Sequence, residues 1–190
     1  MSKARVVVGV SGASGAALAV RVVERLAAVP SVETHLIVSN AARRTLLHEA
    51  GPDALHRLLL AADRNYPADD IGAAPASGSF PTAGMIVVPC SMRTLAAIAA
   101  GLADNLVVRA ADVHLKERRR LVLMTRETPL HLGHLRNMTS VTEMGAIVMP
   151  PVPAFYHRPK DIDDIVDHLA ARAIDLLGLP IPPLARAWEP

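Results

Sequence analysis

The chain has little cysteine and few aromatic residues: one cysteine, one tryptophan, two tyrosines and two phenylalanines in 190 residues. A lone Cys90 excludes an internal disulfide and a cysteine-rich zinc site, and it fits a reducing cytoplasm. Aromatics make up 3% of the chain, and no basic run is interleaved with rings on which bases could stack. A formal charge of +2 is too small a surplus for a polyanion-binding surface, so nucleic acid is excluded as a partner. No apolar run approaches the roughly 18 residues that a membrane helix needs, so no membrane insertion is expected. The sequence enters a strand almost at once, leaving no room for a signal peptide. These absences predict a cytoplasmic protein.

What the chain does have is a regular alternation. Arg5 to Val10 is a short β-branched run of the kind buried on both faces of a parallel sheet. Glycines from Gly12 to Gly15 follow it, then a helix to about Ala28. Glu33 to Ser39 reads as a second strand and Ala41 to Ala50 as a second helix. A short helix is expected near Leu55 to Ala62, and a loop over Ala73 to Pro81. Met85 to Pro89, Leu121 to Thr125 and Ala146 to Met149 are three further strands. Asp161 to Leu177 closes the pattern as an amphipathic helix, before a proline-rich tail. Five strands with intervening helices predict a three-layer α/β domain with a mostly parallel sheet. Residues 1–190 form one domain in this reading, with about 180–190 as its tail.

Ligands of such sheets bind beyond the carboxyl ends of the strands. Four motifs fall there: Ser11 to Gly15, Ser39-Asn40, Pro89 to Thr94, and Arg126 to Pro129. Gly9-Val-Ser-Gly12-Ala-Ser-Gly15 opens the first helix, where small residues let a phosphate approach the backbone N–H groups. Its spacing is not the G-x-G-x-x-G of dinucleotide binders, and Ser39 stands where an adenine ribose would need a carboxylate. A mononucleotide therefore fits better than NAD. Further on, Arg109 and Lys116 are seven residues apart, about two helical turns and roughly 10 Å of rise, which makes a basic stripe on one face. Close to a helix N-terminus, such a stripe suits a small phosphorylated ligand. Glu127, between Arg126 and a proline-fixed turn, has the chemistry of a proton donor or acceptor, although taken alone a solvated ion pair at a strand end explains it better. Phe155 is read as core, whereas the hydroxyl of Tyr156 is available to a ligand.

Two patterns point elsewhere and carry less weight. Asp163-Asp164-Ile-Val-Asp167 spells D-D-x-x-D, yet acids near a helix start are explained by the macrodipole and by solubility. His131 and His134, at i, i+3 spacing, lack a third ligand in sequence and read as capping or packing groups. No metal site is expected.

Six strings in one order then resemble a known family. They are Gly12-Ala-Ser-Gly15, Ala76-Ser-Gly-Ser-Phe80, Pro89-Cys-Ser-Met-Arg-Thr94 and Arg109-Ala-Ala-Asp-Val-His-Leu-Lys-Glu-Arg118. Arg126-Glu-Thr-Pro-Leu-His-Leu-Gly-His-Leu135 and Pro150-Pro-Val-Pro-Ala-Phe-Tyr-His-Arg-Pro159 complete the series. The chain resembles the UbiX-type flavin prenyltransferases over nearly its whole length. The resemblance implies a flavodoxin/Rossmann-like fold and transfer of a dimethylallyl group from dimethylallyl phosphate to N5 and C6 of reduced FMN. The product, prenylated FMN, would serve a UbiD-type decarboxylase, in ubiquinone biosynthesis or aromatic acid decarboxylation. It also implies a homo-dodecamer with sites shared between subunits.

By the same resemblance, Ala13, Ser14, Gly15, Ser39, Ser91, Met92, Arg93, Thr94 and Arg126 would bind FMN. Tyr156 and Arg172 would hold dimethylallyl phosphate, with Arg109 and Lys116 beside its phosphate. Ser14, Glu49, Lys116 and Glu127 would be catalytic. Leu18, Asn40 and Ile71 depart from the family's commoner residues and would affect the wall of the prenyl pocket. Arginine, lysine and tyrosine donors can stabilise a departing phosphate without a metal. The rival readings are a flavin-dependent decarboxylase or reductase of a related fold and a non-catalytic flavin-binding module.

Overall fold

The computed structural model describes residues 3–188. Its centre is a six-stranded sheet in the order β3-β2-β1-β4-β5-β6, with every pairing parallel. The strands are β1 (Ala4–Val10), β2 (Val32–Val38), β3 (Arg64–Pro67), β4 (Gly84–Cys90), β5 (Arg120–Thr125) and β6 (Ile147–Val148). The sequence predicts five of them. The sixth, β3, is an edge strand with the polar sequence Arg-Asn-Tyr-Pro, so it lacks the apolar run that marks a buried strand. Its proline closes an edge, where a missing N–H is tolerated.

Helices cover both faces. On one side lie α1 (Ala16–Ala27), α2 (Asn40–Ala50), α3 (Ala54–Ala61) and α7 (Ile162–Asp175), packed on Val6, Val8, Leu36, Ile86 and Met124. On the other lie α4 (Met92–Ala99), α5 (Leu106–Lys116) and α6 (Leu132–Glu143), packed on Val7, Ile37, Met85, Val87 and Leu123. Neighbouring residues of β1 thus point into different cores, as the two-residue period of a strand requires. This is the three-layer α/β arrangement that the alternating pattern predicts.

Strand order reverses between β1 and β4: from β1 the chain steps outward through β2 to β3, and from β4 it steps the other way through β5 to β6. Beyond their carboxyl ends the connections diverge and leave a crevice. Here β4 carries a register shift between Val87 and Cys90, and the bulge turns the Pro89 carbonyl toward β1. It accepts from both the Ser11 N–H at 3.3 Å and the Ser11 hydroxyl at 2.7 Å.

Candidate active site

The crevice is built by helix starts. Ser39 caps α2 by accepting from the Ala42 N–H at 3.2 Å, and Ser91 caps α4 by accepting from the Thr94 N–H at 3.2 Å. Asn105 does the same for α5 through the Val108 N–H, also at 3.2 Å. Three positive helix ends therefore converge on one pocket of about 310 Å³, lined by Ser11, Gly12, Ser39, Ala41, Ser91, Arg93, Thr94, Asn105 and Val107. Gly12 has no room for a side chain, because a Cβ there would overlap the Ala41 methyl group. Ser11, 4% exposed, braces the two sides by also accepting from the Ser91 N–H at 2.8 Å. Among the FMN residues implied by resemblance, Thr94 is buried and accepts from the Ser91 hydroxyl at 3.1 Å. Arg93 is exposed and paired with Asp104. Met92 sends its side chain into the core beneath α4.

The first helix start is already occupied. Glu49, on α2, accepts from the N–H groups of Gly15 and Ala16, both at 2.8 Å. Gly15 holds φ at +112°, which only glycine adopts without strain, and this turns both amides toward the carboxylate. Burial works against the charge on Glu49. The hydrogen bonds from Ser14, Ala16 and Gly15, with Arg126 nearby, outweigh it and hold the carboxyl below its usual range. The amides that the glycine spacing offers to a phosphate thus bind an internal anion, and Ser14, Glu49 and Arg126 form one cluster. A phosphate is left the starts of α2, α4 and α5.

The remaining cations are arranged differently from expectation. Arg109 lies in the second turn of α5, where its Nε donates to the Ala76 carbonyl at 3.2 Å and its Nη1 pairs with Asp112 at 2.7 Å. Lys116 is the last residue of α5 and pairs with Glu117. The stripe exists, yet only Arg109 is near a helix N-terminus. Tyr156 and Arg172 do meet, in a pocket of about 270 Å³ that also takes in Trp188, whose ring stands edge-on to Tyr156 at 5.1 Å. Phe155 is not core: it is 71% exposed, because its 3₁₀ turn (Phe155–His157) projects past the sheet. Glu127 is exposed in the loop after β5 and accepts from the Thr128 N–H at 3.1 Å.

Other sequence features find structural employment. His131 caps α6, its Nδ1 accepting from Gly133 and His134, and the two imidazoles stack at 3.6 Å. Asp167 pairs with Arg21 and Arg25. Asp164 accepts from the Lys160 N–H, and Asp161 caps α7. No group of three or more potential metal ligands occurs among the described residues. Burial pushes the Cys90 thiol up to about 12, so it stays protonated. Leu18 is buried in the core beneath the glycine loop, whereas Ile71 is exposed. Ser11 and Asn105, which complete the pocket, have no role in the sequence-based assignment of side chains. Their signal was positional, at the ends of β1 and ahead of α5.

Parallel strands in this order, with hydroxyl-capped helix starts gathered at the switch point, define an α/β protein built to take a mononucleotide. The family model described as Flavoprotein matches residues 1–174. The flavin prenyltransferase UbiX of Salmonella typhimurium is 52% identical over 178 residues, covering 94% of each chain. AnUbiX (PadA1), solved in complex with FMN and dimethylallyl pyrophosphate, matches with a TM-score of 0.93 at 45% identity, covering 99% of this chain and 98% of that one. A dodecameric FMN-dependent UbiX-like decarboxylase from Escherichia coli O157:H7 also has a TM-score of 0.93, at 48% identity, covering 98% and 100%. The chain belongs to the Flavoprotein family and, within it, to the UbiX flavin prenyltransferases.

Proposed function

We propose that this protein joins a dimethylallyl group from dimethylallyl phosphate to N5 and C6 of reduced FMN, and that its catalytic site is assembled from more than one copy. The observation that carries the second half is topological. Arg109 and Lys116 belong to α5, while Arg172 belongs to α7, on the opposite face of the sheet. One chain cannot wrap both groups around one phosphate, whereas a homo-dodecamer brings one copy's α5 against another's α7. The two UbiX structures, one with FMN and dimethylallyl pyrophosphate and one dodecameric, support this reading.

In this reading the FMN phosphate takes the pocket between α2, α4 and α5, with Ser39, Ser91, Thr94 and the Met92 amide as donors. The chemistry of these groups fits: hydroxyls and N–H groups on converging helix starts favour an anion without a metal. Ala13, Ser14, Gly15 and Arg126 border the ring system, and Arg93 closes the rim. Reduced FMN supplies the nucleophilic ring atoms. Arg109, Lys116, Tyr156 and Arg172 neutralise the charge that builds on the departing phosphate. Glu127 hands a proton to that phosphate. Glu49, kept as a carboxylate by Ser14 and the start of α1, is placed to stabilise positive charge on the allyl group.

The product, prenylated FMN, passes to a UbiD-type decarboxylase. One flavoprotein domain, with about 180–190 as its tail, works in the cytoplasm; no helix among the described residues is long and apolar enough to cross a membrane. Incubating the protein with reduced FMN and dimethylallyl phosphate, then measuring the extracted flavin by mass spectrometry, tests the reaction. A flavin heavier by one dimethylallyl group is expected. Unchanged FMN beside a decarboxylated or reduced substrate would favour the rival chemistry.

A further inference from the structure

Arg118, Arg119 and Arg120 follow one another, yet only the middle one turns inward. The Arg119 guanidinium donates to the Gly78 carbonyl at 2.6 Å, the Phe80 carbonyl at 2.8 Å and the Thr82 hydroxyl at 3.2 Å. A planar fork satisfies three acceptors of one loop at once, which a lysine ammonium cannot match. Behind it, the Thr82 oxygen lies 2.8 Å from Nε2 of His114, whose Nδ1 lies 2.7 Å from the Ala110 carbonyl. A carbonyl only accepts, so Nδ1 carries the proton and Nε2 accepts from Thr82. The Thr82 lone pairs are then left facing Arg119. His114 is fully buried, and burial lowers its pKa to about 4, so the direction of this relay does not change near neutrality.

The clamped loop is the surface on which Arg109 and Lys116 rest. Arg109 is seated on the Ala76 carbonyl. Lys116 lies over Gly78, where a Cβ would come within 2.6 Å of Nζ. Free lysine and arginine side chains sample many rotamers, and fixing two of them for one anion costs entropy at each binding event. We infer that Arg119 is a positioning residue for prenyl transfer: by pinning the loop through Gly78 and Phe80 it sets Arg109 and Lys116 in one arrangement for the substrate phosphate. The inference rests on the assignment of those two cations to dimethylallyl phosphate.

The test compares Arg119→Gln, Arg119→Lys, Gly78→Ala and the neighbouring control Arg118→Gln in the full chain. Initial rates are measured against dimethylallyl phosphate, with FMN affinity and melting temperature followed in parallel. Arg119→Gln should lower kcat/KM about tenfold, mainly through KM, while FMN affinity stays unchanged. Arg119→Lys should recover little of the loss, and Arg118→Gln should behave as the parent. Gly78→Ala keeps the clamp but displaces the paired ends of Lys116 and Glu117, both of which a Cβ there would meet, so it should reproduce the KM effect even if Arg119→Gln fails to fold. The double variant Lys116→Ala/Arg119→Gln should lose clearly less than the product of the two single losses, because one of the two cations through which Arg119 acts is already removed. Multiplicative losses in the double variant, or FMN affinity falling in step, would make Arg119 a general stabiliser and overturn the inference. So would normal kinetics in Arg119→Gln and Gly78→Ala while Lys116→Ala is impaired. Normal kinetics in Lys116→Ala would overturn the phosphate assignment itself, and this inference with it.

Discussion

In the proposed reading, the crevice at the β1/β4 switch point and the basic groups on α5 and α7 would hold a phosphate in opposite ways. The crevice is complete within one chain: three helix starts, their serine and asparagine caps and the Ser11 brace lie together because the strand order brings them together. The second set is divided between two faces of the sheet, and its members are exposed or paired with nearby acids. Backbone dipoles need no side-chain ordering and can wait preformed for a tightly held mononucleotide. Long cationic side chains can be gathered from separate copies and released when phosphate leaves. In the proposed reading, flavin binding and release of the leaving phosphate are thereby given to different kinds of donor.

The largest effects should come from the divided site. Lys116→Ala and Arg172→Ala should each lower prenyl transfer by roughly one to two decades while leaving FMN affinity intact, through loss of one charge-assisted contact. Co-assembling the two variants should restore about a quarter of the activity, the chance that a site draws an intact half from each parent. No recovery on mixing, with both variants correctly assembled, would place both halves in one copy and break the comparison.

A smaller effect of the opposite kind is expected in the crevice. Ser11→Ala leaves the half-buried Ser91 N–H without its partner, a loss of about 0.5–1.5 kcal/mol. Flavin retention, read from absorbance, should weaken by up to about tenfold, whereas turnover per bound flavin should hold. If flavin binding were untouched and turnover fell, Ser11 would belong with the second substrate.

Glu49 gives a pH signature. Its carboxyl titrates below the ordinary range near 4.3 when folded, so its contribution to stability is full above that value and is lost as pH falls through the folded one. The melting-temperature gap between the parent and Glu49→Gln should therefore be constant above about pH 5 and close in more acid solution. A gap that widens on acidification would mean that the group is held neutral.

How much of this was legible beforehand follows from what each feature requires. Strands β1, β2, β4 and β5 announced themselves by apolar runs, and the glycine and serine turns after them located the crevice. Strand β3 has no such run and is defined by its pairing with β2 alone. Glu49 was reachable only through resemblance, since nothing local says that an acid on α2 will cap α1, 34 residues from Gly15. Arg119 was hidden in a run of three arginines that reads as a solvated surface, and its partners lie some forty positions away. The division of the cations between two faces needed the layer assignment of α5 and α7, which spacing along the chain does not contain.

The smallest effect should come from the D-D-x-x-D string. Asp163 lies in the first turn of α7 and has no ion pair among the described residues, so its charge acts on the helix start alone. Asp163→Asn should cost about 0.3–1 kcal/mol of stability at low salt, less at high salt, and leave prenyl transfer unchanged with or without a chelator. Asp167→Asn, in the second turn of the helix, should be the more costly, because it leaves Arg21 and Arg25 facing an amide between α1 and α7. Its carboxyl, held below the usual range by Arg25 despite some burial, makes that loss smaller in acid. Were Asp163→Asn instead to abolish prenyl transfer, with magnesium restoring it, the string would be a metal ligand set and the divided clamp of arginine, lysine and tyrosine would not be sufficient.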